Sequence, residues 1–271
     1  MNFFHALLLG TLQGATEFLP VSSSGHLVLL PWLLGWPAPG LPFDAVVHLG
    51  TALAVIAYFW RDWLSLGGAA LRSLATRSLA DSNARLAWFI LLGTVPAALL
   101  GYLLNDFFES MFGRPAAAAG FLLVTALILA LSERLGRRER DLDTLTWLDA
   151  LLIGLAQAGA ILPGISRSGS TIAAGLGRGL RREPAARFSF LLATPVILGA
   201  GLLQVADLAQ TGGLAAQAPL LGVGFAAAAL VGLGCIHFLM RYLKRRPLYP
   251  FAIYCAAAGV ACLLVVLIRG M

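Results

Sequence analysis

Two short stretches decide the fold, Pro20-Val21-Ser22-Ser23-Ser24-Gly25 and Pro163-Gly164-Ile165-Ser166-Arg167-Ser168-Gly169. Each stretch interrupts the middle of an apolar region, the first in residues 1–36 and the second in residues 147–177. Proline, glycine and serine break a helix at membrane depth only where protein or a water-filled cavity satisfies the freed backbone groups. The pattern therefore predicts two helix–turn–helix hairpins with polar tips that line such a cavity.

The composition around these stretches is that of an integral membrane protein. Of the 271 residues, 59% are apolar and only 12% are charged, and the mean hydropathy is +0.85. In a soluble domain about a quarter of the residues are charged, so an ordinary soluble fold is excluded. The net charge of +6 comes from arginine clusters between apolar runs. Such clusters mark membrane topology, and no nucleic-acid partner is predicted from them.

Six further apolar runs have the length of about 17 to 25 residues that a bilayer crossing needs. They lie at 43–60, 86–104, 116–131, 188–206, 218–240 and 248–268. Basic residues concentrate at 61–85, 134–140, 178–187 and 241–246, whereas 105–115 and 207–217 are poor in them. By the positive-inside rule, the four basic loops are cytoplasmic and the other two lie outside. The regions 1–36 and 147–177 then begin and end on one side of the membrane, so both are predicted to be re-entrant, the first from outside and the second from inside.

The two hairpins belong to an internal repeat. An ungapped alignment with an offset of 144 residues pairs Gln13 with Gln157, Ser22 with Ser166, Ser24 with Ser168 and Gly25 with Gly169. Related halves inserted in opposite orientations form an inverted repeat, in which broken helices build a polar site near the membrane midplane. We predict one integral membrane domain over 1–271, with repeat one at about 1–131 and repeat two at about 147–268. The predicted fold class is an all-α polytopic membrane protein with six transmembrane helices, two re-entrant hairpins and an inverted-topology repeat.

The first hairpin carries a carboxylate at membrane depth. Gln13 and Glu17 lie four residues apart on one helical face, so both can point at a single ion or ligand. A carboxylate at the centre of a membrane helix costs roughly 2.5 to 3.5 kcal/mol on insertion scales, which favours a functional role. His26 follows the serines and is a candidate proton carrier. The simpler alternatives are that Glu17 neutralises a buried arginine such as Arg167 and that His26 packs with a hydrogen bond.

The second hairpin carries a lone arginine. Arg167 is the only basic residue between Arg140 and Arg178, and small residues flank it. Arginine offers a planar fork to phosphate oxygens, and a glycine- and serine-rich turn that opens a helix adds backbone N–H groups. The pattern predicts an oxyanion cradle. The alternative is a tight turn that the serines satisfy, with Arg167 paired to Glu17.

The run from Gln13 to His26 and the run from Pro163 to Thr171 together resemble the paired motifs of a known family. This is the undecaprenyl-pyrophosphate phosphatase family of bacitracin-resistance membrane enzymes. The length, the two hairpins and residues 43–50 also match, so the resemblance covers nearly the whole chain. It implies a bacterial plasma-membrane hydrolase that removes the terminal phosphate of undecaprenyl diphosphate and recycles the carrier for peptidoglycan synthesis. No role is predicted for His48, which is expected to pack between helices.

The resemblance and the residue chemistry together define the predicted site. Gln13 and Glu17 are expected to hold a divalent cation, Mg²⁺ or Ca²⁺, with the first position a neutral oxygen ligand. The predicted catalytic residues are Glu17, Ser22, Ser23, His26 and Arg167, and the attacking group is either a serine or an activated water. The predicted diphosphate-binding residues are Ser24, Gly25, Ser166, Arg167, Ser168, Gly169 and Thr171.

The predicted partners are the lipid diphosphate and the bilayer, with a homodimer left open, and the site is expected to face the periplasm. A transporter or flippase of a polyprenyl phosphate or another anion is the alternative function, because inverted repeats with broken helices also build secondary transporters. In that case Arg167 and the serines bind the anion, and Glu17 with His26 couples proton movement.

Overall fold

The computed structural model describes residues 1–210 and 213–270, and within them the chain forms twelve α-helices and no β-strand. The helices of the first half are α1 (Phe3–Phe18), α2 (Ser23–Leu34), α3 (Leu41–Tyr58), α4 (Trp60–Thr76), α5 (Ser82–Leu103), α6 (Asn105–Phe112) and α7 (Pro115–Leu135). A 3-10 helix (Leu142–Thr144) precedes the second half, which contains α8 (Trp147–Gly159), α9 (Arg167–Gly177), α10 (Arg182–Gln210), α11 (Gly213–Leu243) and α12 (Tyr249–Ile268).

Six of these helices are long and apolar enough to cross a membrane. They are α3, α5, α7, α10, the part of α11 from Gln217 to Leu243, and α12. Each one overlaps an apolar run of the sequence, so the predicted all-α polytopic fold with six transmembrane helices is confirmed. In the predicted outer connection 207–217, residues 211 and 212 lie outside the described part of the chain. On either side of them α10 continues to Gln210 and α11 begins at Gly213, so both helices are longer than the predicted runs.

The two interrupted regions fold as the helix pairs α1–α2 and α8–α9. Ser22 caps α2, because its side chain accepts a hydrogen bond from the backbone N–H of Gly25. Ser166 caps α9 in the same way, through the N–H of Gly169. These residues are equivalent under the 144-residue offset, so each tip uses one serine hydroxyl to satisfy an N–H group that a helix start leaves free. The geometry is consistent with two re-entrant hairpins.

Equivalent glycines allow close contacts of α1 and α8 with neighbouring helices. A Cβ on Gly10 would lie 2.4 Å from the carbonyl oxygen of Gly224 in α11. A Cβ on Gly154, the equivalent residue of α8, would lie 2.3 Å from the carbonyl oxygen of Gly93 in α5. Small residues allow membrane helices to approach this closely. These matching contacts support the inverted repeat, whose boundaries stay a prediction.

Two regions that were predicted as loops contain helices. Most of 61–85 forms α4, and most of 105–115 forms α6. In α4 the buried residues Leu66, Ala69 and Ser73 are spaced by three and four, so they share one face of the helix. The arginine content of this region indicated its side of the membrane, but hydropathy alone did not reveal the amphipathic helix.

Arginines from the basic loops close the base of the second hairpin. The fully buried Asp149 in α8 accepts hydrogen bonds from Arg140 Nη2 at 2.8 Å and from Arg178 Nε at 2.5 Å. Glu133, at the end of α7, accepts one from Arg182 Nη2 at 2.6 Å. Buried acids need such partners, and losing one partner is strongly destabilising. The loop arginines therefore fix the second hairpin.

Candidate functional site

The two hairpin tips contact each other. The hydroxyl oxygen of Ser22 accepts a hydrogen bond from the N–H of Gly164 at 3.1 Å, and the Ser168 hydroxyl donates to the carbonyl of Leu19 at 3.5 Å. A Cβ on Gly25 would lie 2.9 Å from Gly164 Cα, so a larger residue would push the tips apart. The N-termini of α2 and α9 consequently open beside one another, and helix N-termini are favourable positions for anions.

Thr125 of α7 anchors the second tip. Its hydroxyl donates to the carbonyl of Gly164 at 2.8 Å and accepts from the N–H of Ser166 at 2.9 Å. Gly164 has a φ of +102°, and a Cβ there would lie 2.2 Å from the carbonyl oxygen of Ala118, so only glycine fits this turn. Sequence analysis missed Thr125, because a single threonine in an apolar run carries no signal of a distant partner.

Glu17 joins the two tips. Its Oε2 accepts hydrogen bonds from Ser23 Oγ at 2.5 Å and from Gln13 Nε2 at 2.8 Å. Its Oε1 forms an ion pair with the guanidinium of Arg167 on the second tip. The pairing named above as the simpler alternative is therefore present. Two observations go beyond charge neutralisation. The amide oxygen of the fully buried Gln13 side chain has no hydrogen-bond partner. Ser23 donates a hydrogen bond to the same carboxylate, which an ion pair does not require.

The two candidate serines of the first tip have different partners. Ser22 Oγ accepts from the N–H groups of Gly25 and Gly164 and lies 3.4 Å from Ser24 Oγ. These two accepted bonds use both acceptor lone pairs of the Ser22 hydroxyl, so Ser22 serves as a cap and as the bridge between the tips. Ser23 instead points its hydroxyl at a carboxylate, the arrangement in which a base can take its proton.

His48 lies at the site, and the expectation that it only packs between helices is wrong. Its Nε2 is 3.6 Å from Glu17 Oε2. Its Nδ1 is 2.7 Å from the carbonyl oxygen of Asp44, which can only accept, so Nδ1 carries the hydrogen and Nε2 presents its lone pair to Glu17 in the neutral ring. The signal available in the sequence was the membership of His48 in the family-like stretch 43–50.

His26 makes its hydrogen bonds away from Glu17. Its Nδ1 lies 2.7 Å from the carbonyl oxygen of Ser22 and its Nε2 lies 2.7 Å from the hydroxyl of Tyr254 in α12. The two rings are stacked, with centroids 5.6 Å apart. The role of His26 as proton carrier stays a prediction, and Tyr254 is a neighbour that the sequence did not indicate.

The remaining predicted phosphate-binding residues form the first turns of α2 and α9. Ser166 Oγ accepts from the N–H of Gly169 and lies 3.3 Å from Ser168 Oγ. The hydroxyl of Thr171 donates to the carbonyl of Arg167 at 2.8 Å and lies 2.6 Å from Ser189 Oγ of α10. Thr171 thus holds α9 against α10. Arg167 and Ser168, by contrast, contact the first tip directly, through Glu17 and Leu19.

The oxygen atoms at Glu17 fit a hard divalent cation. The carboxylate and the unpartnered amide oxygen of Gln13 are the kinds of ligand that Mg²⁺ and Ca²⁺ use. Among the described residues, no three side chains of His, Cys, Asp or Glu gather as a metal-binding group. The donor set therefore suits a cation that is held by one carboxylate and completed by substrate phosphates, rather than by an all-protein cage.

The family model of bacitracin resistance protein BacA matches residues 6–261, from α1 into α12 and across both tips. This chain belongs to the BacA family. An undecaprenyl-diphosphatase of Thermomicrobium roseum is 49% identical to it, over 98% of this chain and 99% of the relative. An undecaprenyl-diphosphatase of Rubrobacter xylanophilus is 47% identical, over 97% and 99%, and one of Pelotomaculum thermopropionicum is 46% identical, over 96% of each. BacA membership confirms the resemblance that the two motifs indicated.

Proposed function

We propose that this protein hydrolyses undecaprenyl diphosphate to undecaprenyl phosphate and inorganic phosphate in a bacterial inner membrane. It thereby recycles the lipid carrier for peptidoglycan synthesis and confers bacitracin resistance. The observation that carries the proposal is the junction of the tips, where the Glu17 carboxylate meets Ser23 and Arg167. A base, a hydroxyl and a guanidinium at one point are the groups that a phosphoryl transfer uses. The relatives named undecaprenyl-diphosphatase point to the same substrate.

Arg167 is the group that binds the terminal phosphate in this proposal. Without substrate its guanidinium neutralises Glu17. A diphosphate offers the guanidinium more negative charge and a pair of oxygens that can accept two parallel hydrogen bonds, so it competes with the carboxylate for the same N–H donors. Binding therefore releases Glu17 to act as a base and leaves Arg167 to stabilise the charge on the transferring phosphoryl group, where most of the catalysis in such reactions originates.

Ser23 is the proposed nucleophile. Its Oγ bonds to the terminal phosphorus while the bond to the bridging oxygen breaks, and undecaprenyl phosphate leaves with the electron pair. The Ser23 proton passes to Glu17. A water then attacks the phosphorus of the phosphoserine, and the bond from phosphorus to Ser23 Oγ breaks as Glu17 returns the proton to that oxygen. One proton of the water passes to Nε2 of His48, which releases it to solvent, and inorganic phosphate leaves with the other. Direct attack by a water that Glu17 activates is the alternative within the same site.

A divalent cation, held by Glu17 and Gln13, is proposed to take part. When bound, such a cation neutralises charge on the diphosphate oxygens. The buried amide oxygen of Gln13, which has no other partner, supports this assignment. The long prenyl tail is proposed to lie along the apolar surface between helices, since many large apolar side chains are exposed on this molecule.

The direct test is phosphate release from purified protein in detergent, with undecaprenyl diphosphate or farnesyl diphosphate as substrate. We expect release that EDTA abolishes and that added Mg²⁺ or Ca²⁺ restores, because Arg167 alone leaves the diphosphate charge only partly neutralised. Absence of release by folded protein with several divalent metals would contradict the hydrolase and favour the transporter. Release that EDTA leaves unchanged would contradict the cation alone.

We also propose that the two inverted repeats form one domain and that the site opens to the periplasm. The basic loops place the ends of the first hairpin outside, so its tip, with Ser24, is reached from that face. A Ser24→Cys variant is expected to react with a membrane-impermeant maleimide added to the periplasmic side of oriented vesicles. A Ser78→Cys variant, in the basic loop, serves as the control and is expected to react from the cytoplasmic side. Labelling of Ser24→Cys only from the cytoplasm would overturn the orientation.

A further inference from the structure

A basic cleft of about 230 Å³ opens where the ends of α3, α10 and α11 meet. Its lining includes the cationic or titratable side chains Arg187, His237, Arg241 and Lys244, the aromatic residues Tyr58 and Phe59, and a single acid, Glu183. The positive-inside rule places these helix ends at the cytoplasmic surface of the membrane. The cleft therefore combines an aromatic floor with a positively charged rim at the level of lipid headgroups.

The positive charge of this cleft is only partly neutralised within the protein. Arg241 and Lys244 are exposed, and neither forms an ion pair in the part of the chain that the structure describes. Arg187 donates from Nη2 to Asp62 at 2.5 Å, but its buried Nε has no hydrogen-bond partner. Arg241 and Lys244 are therefore the cations that remain available to an anion in the cleft.

The cleft continues along the outer face of α11. A second opening of about 470 Å³ shares His237 and Arg241 with the first. Its other lining residues are Gly234, Phe238, Tyr242, Arg245 and Arg246. Gly234 and Phe238 are four residues apart, so they lie on one helical face, and Phe238 is 52% exposed. Gly234 and Phe238 therefore form an apolar strip on α11 that leads away from the basic residues at the helix end, as a hydrocarbon chain leads away from a phosphate headgroup.

The cleft is distinct from the junction of the tips. Phe59 in its floor contacts Phe190, with ring centroids 6.4 Å apart, and Phe190 contacts Phe18 at 5.3 Å. Phe18 directly follows Glu17 in the chain. Three packed phenylalanine rings thus stand between the cleft and the carboxylate, so an anion in the cleft is outside the reach of the proposed hydrolytic groups.

We propose that this cleft binds the phosphate of an anionic phospholipid of the cytoplasmic leaflet, with the acyl chain along Gly234 and Phe238. Basic pockets between membrane helices on the cytoplasmic side are suited to such headgroups. Free inorganic phosphate carries the same charged group, but it has no hydrocarbon chain that could contact Gly234 and Phe238. The proposal is independent of the hydrolytic function, because it concerns binding at separate residues.

The test is native mass spectrometry of the delipidated full chain in detergent, titrated with dioctanoyl phosphatidylglycerol, dioctanoylglycerol or inorganic phosphate. We expect saturable binding of phosphatidylglycerol, with the other two probes at least about tenfold weaker. Arg241→Gln/Lys244→Gln is expected to weaken phosphatidylglycerol binding by at least about tenfold, since each lost cation near the surface weakens attraction to an anionic lipid. Both side chains are exposed and unpaired, so the variant should fold and keep wild-type phosphate release.

The matched control removes the same charge elsewhere. Arg134→Gln/Arg137→Gln takes two exposed arginines from another basic loop and is expected to bind phosphatidylglycerol within about twofold of wild type, because local contacts decide the affinity. Equal weakening in both double variants would show diffuse attraction and overturn the site. Equal binding of inorganic phosphate would overturn the lipid as its ligand, and equal binding of dioctanoylglycerol would overturn recognition of the phosphate.

Discussion

Glu17→Gln is expected to lower the kcat for phosphate release from undecaprenyl diphosphate by about a thousandfold, the usual scale for loss of a general base. Glutamine keeps the size of the side chain but cannot take the proton of Ser23, whose hydroxyl lies 2.5 Å from the carboxylate. It also loses the charge that a divalent cation needs. The measurement is kcat on purified variant, with the unfolding midpoint in detergent recorded on the same sample.

A structural role of the ion pair must be separated from this catalytic one. Glu17 and Arg167 neutralise each other with side-chain exposures of 3% and 19%. Removing one partner of a buried pair costs about 3 to 5 kcal/mol, because the other charge is left uncompensated. A single variant can therefore lose activity simply because it unfolds.

The double variant Glu17→Gln/Arg167→Gln resolves the two roles, because it removes both charges together. Its unfolding midpoint is expected to recover toward wild type, while kcat stays about a thousandfold or more lower. The exposed pair of Asp141 and Arg181 provides the control, and Asp141→Asn/Arg181→Gln is expected to keep both properties. Recovery of activity along with stability in the Glu17/Arg167 double variant would show that the pair is only structural.

The sequence predicted the fold well where the physical signal is local. Each membrane helix needs a continuous apolar run, and each tip needs residues that break a helix, so the α1–α2 and α8–α9 pairs and all six spans follow from short windows. The helix α4 was missed because charged residues and glycines interrupt its apolar residues, so no continuous apolar run of bilayer length marks it. Its partners become visible only once α4 is packed against the bundle.

The site residues show the same difference between a local sequence signal and a contact that forms only on folding. Gln13, Glu17, Ser23 and Arg167 were predicted because each polar group is conspicuous in its own apolar segment. His48 and Thr125 were missed because their importance arises from α3 and α7, which bring them to the tips from distant parts of the chain. The different uses of Ser22 and Ser23 were likewise hidden, since adjacent serines look alike until their hydrogen-bond partners are known.

Ser23→Ala is expected to lower kcat by at least about a thousandfold, as loss of a nucleophile does, whereas replacement of Ser22 is expected to affect stability more than catalysis. Ser22 has a φ of 69°, which glycine adopts freely, so Ser22→Gly is the matched variant that keeps the backbone of the tip. We expect a lower unfolding midpoint for Ser22→Gly because the cap and the bridge to Gly164 are lost, with kcat within about tenfold of wild type.

A trapped intermediate distinguishes the two modes of attack. Acid quenching during turnover of substrate labelled in its terminal phosphate is expected to leave label on Ser23, because the proposed phosphoserine forms before water enters. Ser23→Ala that keeps most of the activity and wild type without label would instead show that water attacks directly, with Glu17 as its base. Equal loss in Ser22→Gly and Ser23→Ala, with both variants folded, would contradict the division of labour that the hydrogen bonds of the two serines indicate.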